Sequence, residues 1–295
     1  MAVVSLLAAA SGLTLMSAPP AHVQARSAVR MAIVDDFAIS RTVKDVLVFD
    51  GDYASEIRDK IADVGADAIA TKGSFSLAIP GGSVVKAFGE LSPDAFDMSK
   101  MHVFLCNEKI PSYPCIDGAL EVTKGLGVPD ENVHGFDKEA SPAAAAAKYT
   151  ELLKSHPSIG NEGAIPSVDM MLLGTGPDGH CGCLFPDSPE IKATGSGAVV
   201  LAGNNENADG DFVAITMDVM NAAKVVIVSA AAAARAPMVA KALSGEFGAF
   251  DCPAGMVDAA EETLWFVDEE SIGEFDGLDE LDEGELDGLE VSPPE

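Results

Sequence analysis

Basic residues are scarce in this chain. It has 18 Lys and Arg against 47 Asp and Glu over 295 residues, a formal net charge of −29. A field of that sign repels nucleic acid and anionic membrane surfaces, so neither is expected as a partner. An anionic small substrate stays open only where local bases override the global sign. A disulfide framework is also missing. The five cysteines, at 106, 115, 181, 183 and 252, are odd in number and irregular in spacing, which suits free thiols in a reducing compartment. Cys181-Gly182-Cys183 beside His180 lacks the well-spaced ligand pairs of a zinc site and reads as small residues filling a tight turn. There is no G-x-S-x-G elbow, hence no serine-hydrolase nucleophile. A Walker lysine, an H-E-x-x-H pair and the G-x-G-x-x-G dinucleotide spacing are missing too.

Both ends differ from the middle. Residues 1–34 hold no Asp, Glu or Lys, and "SLLAAASGLTLMSAPPA" is too short and too broken by Ser and Gly to span a bilayer. With "RSAVRMA" after it, the segment 1–31 reads as a targeting leader of transit-peptide character, which points to a plastid, with a cytoplasmic location as the alternative. After Lys241 there is no Lys or Arg, and 269–295 reads as a disordered acidic tail. Within it, Glu274 to Leu278 returns as Glu285 to Leu289, a repeat suited to a basic protein partner. The window from Asp279 to Glu290 imitates a calcium loop but carries Leu281 at the third ligand position.

Hydrophobic content of 48% over this length supports a sizeable globular core. From residue 44, strands and helices alternate. Short apolar runs at 46–50, 74–80, 101–106, 168–173, 211–216, 224–229 and 263–268 predict strands. Residues 52–71 repeat with helical period, putting Tyr53, Ile57, Ile61, Val64 and Ala68 on one face. Helices are also predicted after Gly82, at 114–125, at 142–154 behind the cap Ser141-Pro142, and at 231–243, where Pro237 must lie in the first turn or cause a kink. This order predicts a single α/β domain over 32–268: a mostly parallel open sheet with helices on both faces. Ligands of such sheets bind beyond the carboxyl ends of the strands.

Three strand exits there are chemically unusual. "LAIPGGSVVKAF" places Gly81, Gly82 and Ser83 between a strand and a helix, where main-chain amides can face a phosphate or carboxylate. A tight structural turn is the competing reading. "VFLCNEKIPSY" sets Glu108 and Lys109 directly after a strand, able to reach the same cleft or to lie solvated beside it. "LLGTGPDGHCGCLFP" ends a buried strand in Gly174, Gly176, Asp178, Gly179 and His180. An imidazole titrates nearest neutrality, so His180 is the best general acid or base, and Asp178 can orient its ring or shape the loop. His102 opens a strand, and His134 and His156 fall in stretches linking helices.

Taken together, these stretches resemble the 6-phosphogluconolactonase family, which shares a fold superfamily with the glucosamine-6-phosphate deaminases. "PGGSVV" resembles the family's S-G-G-S-T-P loop, "NEKIP" its D-E-R-x-V-P, and "LLGTGPDGHCGCLFP" its L-L-G-x-G-x-D-G-H-T-A-S-L-F-P. "CPAGMV" and "LWFVD" match later landmarks, and Leu184-Phe185-Pro186 is lactonase-like rather than deaminase-like. The resemblance implies hydrolysis of a phosphorylated sugar lactone without metal or cofactor. His180 would activate water, the Gly loops would hold an oxyanion, and Gly81 to Ser83 with nearby bases, Arg235 among them, would grip phosphate. Three positions depart from the pattern: Asn107 and Lys109 replace the D and R of D-E-R, and Phe212 stands where arginine is expected. These departures leave two competing expectations, a lactonase of weakened or altered specificity and a non-catalytic scaffold with a partner-binding tail.

Overall fold

The computed structural model describes residues 27–31, 34–35, 38–39, 44–82, 84–138, 140–161, 163–245 and 247–273. Ser83, most of the expected leader and the acidic repeat therefore lie outside the described residues.

Apolar runs of β-branched and large residues become strands buried on both faces. They are β2 (Lys44–Phe49), β3 (Phe75–Ile79), β4 (Met101–Leu105), β7 (Met170–Gly174), β10 (Val225–Ala230) and β11 (Glu262–Asp268). Leu172, Ile227 and Trp265 are fully buried in this layer. With β1 (Ser27–Met31) and the short edge strand β6 (Val133–His134) they form an eight-stranded sheet in the order β1-β2-β11-β10-β7-β3-β4-β6. All pairings are parallel except β1 against β2. The last five residues of the expected leader are thus β1.

The helices follow from their local signals. α1 (Ala54–Lys72) buries Ile57, Ile61 and Ala68, as the spacing predicts, and ends at Gly73 in a left-handed cap. α2 (Val84–Gly89) and α3 (Pro114–Leu126) follow the β3 and β4 exits. α4 (Pro142–Ser155) starts with Ser141 accepting from the Ala144 N–H and Pro142 in the first turn. The short helices α5 (Pro189–Lys192) and α6 (Met217–Ala222) lie between later strands. α7 (Ala236–Ser244) carries Pro237 in its first turn, so the chain is not kinked there.

Two expectations are corrected. The stretch after β4 is not a free loop: β5 (Asn107–Ile110) pairs with β9 (Gly210–Ile215), and β9 with β8 (Val200–Asn205), in a second, antiparallel sheet. Lys109 faces Phe212 in that register, and the polar "NEK" conceals the strand from a hydrophobic-period reading. Residues 269–273 are not tail. α8 (Glu269–Ile272) is held by a capping box on Asp268, Ile272 is buried, and Ser271 Oγ donates to the Ala230 carbonyl at 2.8 Å.

β3 and β7 are neighbours although nearly a hundred residues apart, and the chain grows outward from them in opposite directions. This is a topological switch point, and it sets the β3, β7 and β4 exits side by side. At the opposite end of the same strand pair, the buried Asp169 carboxylate accepts from Ser76 N (2.9 Å) and Ser76 Oγ (2.8 Å). It also meets Lys72 at 2.7 Å and Lys224 at 3.1 Å. Asp169→Ala should remove about 3–5 kcal/mol, because a buried N–H and two ammonium groups lose their acceptor. Urea unfolding will read this, with turnover per folded molecule expected to stay unchanged.

Candidate active site

The exits of β3, β4, β7 and β10 enclose a cleft of about 780 Å³. Of the residues singled out in the sequence, Gly81, Gly82, Lys109, Gly174, His180 and Arg235 line it. Gly82 adopts φ +92°, a left-handed conformation that lets β3 turn at once into α2.

His180 sits at the end of the β7 loop with its side chain one-third exposed. Its Nδ1 lies 2.6 Å from Asp178 Oδ1. A carboxylate can only accept, so the proton at this contact belongs to Nδ1, and Nε2 keeps its lone pair. The ring packs against Phe185, with centroids 4.7 Å apart, and Phe185 packs against the buried Phe212 ring at 6.0 Å. Phe212, the departure from the expected arginine, thus backs the ring that backs His180.

Several expected contacts take other roles. Gly176 does not line the cleft. A Cβ there would stand 2.3 Å from His180 Nδ1 and 2.5 Å from Asp178 Oδ1, so its lack of a side chain makes room for the pair. Gly179 is likewise structural, its carbonyl accepting from Ala254 N at 2.9 Å and tying the loop to "CPAGMV". Glu108 is fully buried and does not reach substrate space. It accepts from Cys115 N (3.0 Å) and Ile116 N (2.8 Å) and so caps the start of α3. The burial of its carboxylate could not be inferred from a charged pair at a strand end.

The cleft is far less acidic than the molecule as a whole: three bases, Lys86, Lys109 and Arg235, line it beside three acids, Asp52, Glu90 and Asp268. Arg235 is aimed by its Nε–H to the Thr175 carbonyl (2.8 Å) and its Nη1–H to the Ala231 carbonyl (2.7 Å). Lys109 shares an ion pair with the exposed Asp209 at 2.7 Å. Lys86 has no acidic partner among the described residues. The acids at the rim are engaged elsewhere: Asp52 accepts from Ala54 N, Glu90 pairs with Arg58, and Asp268 accepts from the Ala232 and Ser271 amides.

Sequence reasoning missed Lys86, Tyr53 and Ser229. Lys86 follows the Gly turn closely, but nothing in the string tells which side of α2 meets the cleft. Tyr53 reads as a core residue of α1. In the structure its hydroxyl lies 3.0 Å from Ser229 Oγ at the cleft wall, and burial raises the phenol to about 12, keeping it neutral. The thiols bordering the site are poor ligands and nucleophiles. Burial lifts Cys183 to about 11 and Cys181 and Cys115 well above the usual range, and Asn107 Nδ2 donates to Cys183 Sγ at 3.1 Å.

Comparison with known proteins places this geometry in a family. Residues 50–265 match the family model described as glucosamine-6-phosphate isomerases/6-phosphogluconolactonase. The probable 6-phosphogluconolactonase 3, chloroplastic, of Oryza sativa subsp. japonica is 27% identical over 248 residues, covering 77% of this chain and 75% of that protein. The 6-phosphogluconolactonase of Streptomyces coelicolor is 29% identical over 217 residues, covering 68% and 82%. The solved 6-phosphogluconolactonase of Thermotoga maritima superposes with a TM-score of 0.65 at 21% identity, covering 77% of this chain and 99% of that one, a likeness of fold. A family model spanning this much of the chain, from the exit of β2 into β11, leaves one assignment: the chain belongs to the glucosamine-6-phosphate isomerase/6-phosphogluconolactonase family.

Proposed function

We propose that this chain is a 6-phosphogluconolactonase, hydrolysing 6-phosphogluconolactone to 6-phosphogluconate in the oxidative pentose phosphate pathway. The observation that carries the reading is the His180–Asp178 pair, 2.6 Å apart, at a cleft where three bases balance three acids inside a chain of net charge −29. Membership of the family and the names of the relatives support the substrate class.

A δ-lactone is an activated ester, so one base and one water suffice. His180 Nε2 removes a proton from water as its oxygen bonds to the lactone carbonyl carbon. The carbonyl pair moves to oxygen and forms a tetrahedral oxyanion, received by main-chain N–H groups of the Gly-rich loops. The oxyanion collapses, the ring C–O bond breaks, and the imidazolium returns its proton to the departing ring oxygen. The carboxylic acid product then ionises. Asp178 holds the ring in the tautomer with Nδ1–H and stabilises the imidazolium. Lys86, Lys109 and Arg235 grip the phosphate, and no step calls for a metal or an organic cofactor.

Residues before Ser27 are proposed as a plastid leader, since cleavage there would leave β1 paired with β2. The acidic stretch beyond Gly273 is proposed to meet a basic protein.

Three outcomes are expected. His180→Ala lowers kcat by about 10²–10⁴-fold, the contribution of a positioned base, and Asp178→Asn by less. Freshly prepared 6-phosphogluconolactone followed by pH-stat will measure it, and wild-type hydrolysis no faster than the spontaneous background would refute the reading. Gly176→Ala displaces the pair and lowers kcat at least as much as Asp178→Asn, with the far-UV spectrum retained. Lys86→Ala and Arg235→Ala each raise KM about 10–100-fold, as expected for charge-assisted contacts worth about 1.5–3 kcal/mol. The same variants should act normally on gluconolactone lacking the phosphate.

A further inference from the structure

Three of the five histidines play no part in the cleft, yet they meet in space. His102 comes from β4, His134 from the edge strand β6 and His156 from the residue that ends α4. All are half-buried, and one ring nitrogen from each lies within 4.8 Å of the other two. Ring centroids are 4.5 Å apart for His134–His156, 4.8 Å for His102–His156 and 5.6 Å for His102–His134. Phe104 closes one side, 4.7 Å from the His134 ring and 5.1 Å from His156.

The spacing suits a small cation. A tetrahedral zinc ion with Zn–N bonds of about 2.0–2.1 Å sets its nitrogen ligands about 3.3–3.4 Å apart. His102 Nδ1 and His134 Nε2 already stand 3.4 Å apart. Two lone pairs cannot face each other at that distance, so a proton or a metal must lie between them. The widest separation, 4.8 Å, has to close by roughly 1.4 Å to reach that geometry, a shift within reach of ring rotation at half-exposed positions. His156 Nδ1 accepts from the Ser158 N–H at 3.2 Å and lies 2.8 Å from Ser158 Oγ, so a metal at Nε2 would move the ring proton to Nδ1, where Ser158 Oγ can accept it.

Lys72 is the neighbouring cation, and its ammonium is tied to the buried Asp169 at 2.7 Å and to the Ser158 carbonyl. Burial lowers all three imidazoles; Lys72 adds to this at His102 and His156, and the neighbouring rings add to it at His134, which is taken to about 4, and at His156.

We infer that His102, His134 and His156 form a second site, separate from the lactonase cleft, that binds one divalent transition metal of zinc type through three imidazole nitrogens and a solvent ligand. Such a site would brace the two-residue strand β6 and the end of α4 against β4. It is independent of the lactonase reading, because none of the three residues lines the cleft.

The full chain, stripped with EDTA, is titrated with Zn²⁺ alone against a chromophoric chelator. One equivalent should bind with Kd below about 1 μM, about 8 kcal/mol. His102→Gln and His156→Gln should each weaken it by more than about 100-fold, beyond the loss of an outer-shell group. His180→Gln should leave it unchanged. Zinc should raise the Tm of the wild type and not of the His102→Gln/His156→Gln double variant. Zinc X-ray absorption on the wild type, which needs no variant to fold, should show imidazole scattering with three nitrogens near about 2.0 Å. The inference is overturned if no equivalent binds below about 10 μM, if the double variant binds equally, or if the shell is carboxylate oxygen or sulfur alone.

Discussion

His180 and Asp178 occupy the space that a side chain on Gly176 would fill. The chemistry of this protein rests on that vacancy. The loop leaves β7, crosses under the ring at Gly176 and returns, with Gly176 N donating to the His180 carbonyl at 2.9 Å. The imidazole is therefore clamped between its own loop and Phe185, with its Nδ1 committed to the carboxylate. In the proposed reaction a base held this way needs no rearrangement to act, and one histidine would serve where serine hydrolases use a covalent nucleophile.

The second constraint is electrostatic. A chain of net charge −29 must take up a dianionic substrate. It does so by sorting charge locally. Rim acids are spent on capping amides or on Arg58, while the guanidinium of Arg235 is pointed by two carbonyls. Lys109 is the weaker partner, since its ammonium is shared with Asp209. The global charge acts at long range on association, and in the proposed reaction the three cations would act at contact.

Much of this was legible in the sequence. The strands buried on both faces are apolar runs, α1 and α4 announce themselves by period and cap, and the Gly-rich exit from β7 places His180 at the cleft. The second sheet was not legible, because β5 is polar and takes its place by pairing with β9 rather than by burying an alternating face. Glu108 was misjudged for a related reason. A carboxylate at a strand end looks solvated until the start of α3 is placed above it.

The sequence by itself determined the apolar central strands and the longer helices, where the backbone needs glycine, and which histidine stands at a strand exit, since these depend on neighbours in the chain. Only the tertiary structure decided which exits meet, that Lys86 and Tyr53 face the cleft, and that His102, His134 and His156 converge. Those relations join residues on separate strands and helices. They are fixed by sheet order and by the packing of helices against it, both of which come from burial summed over the whole core.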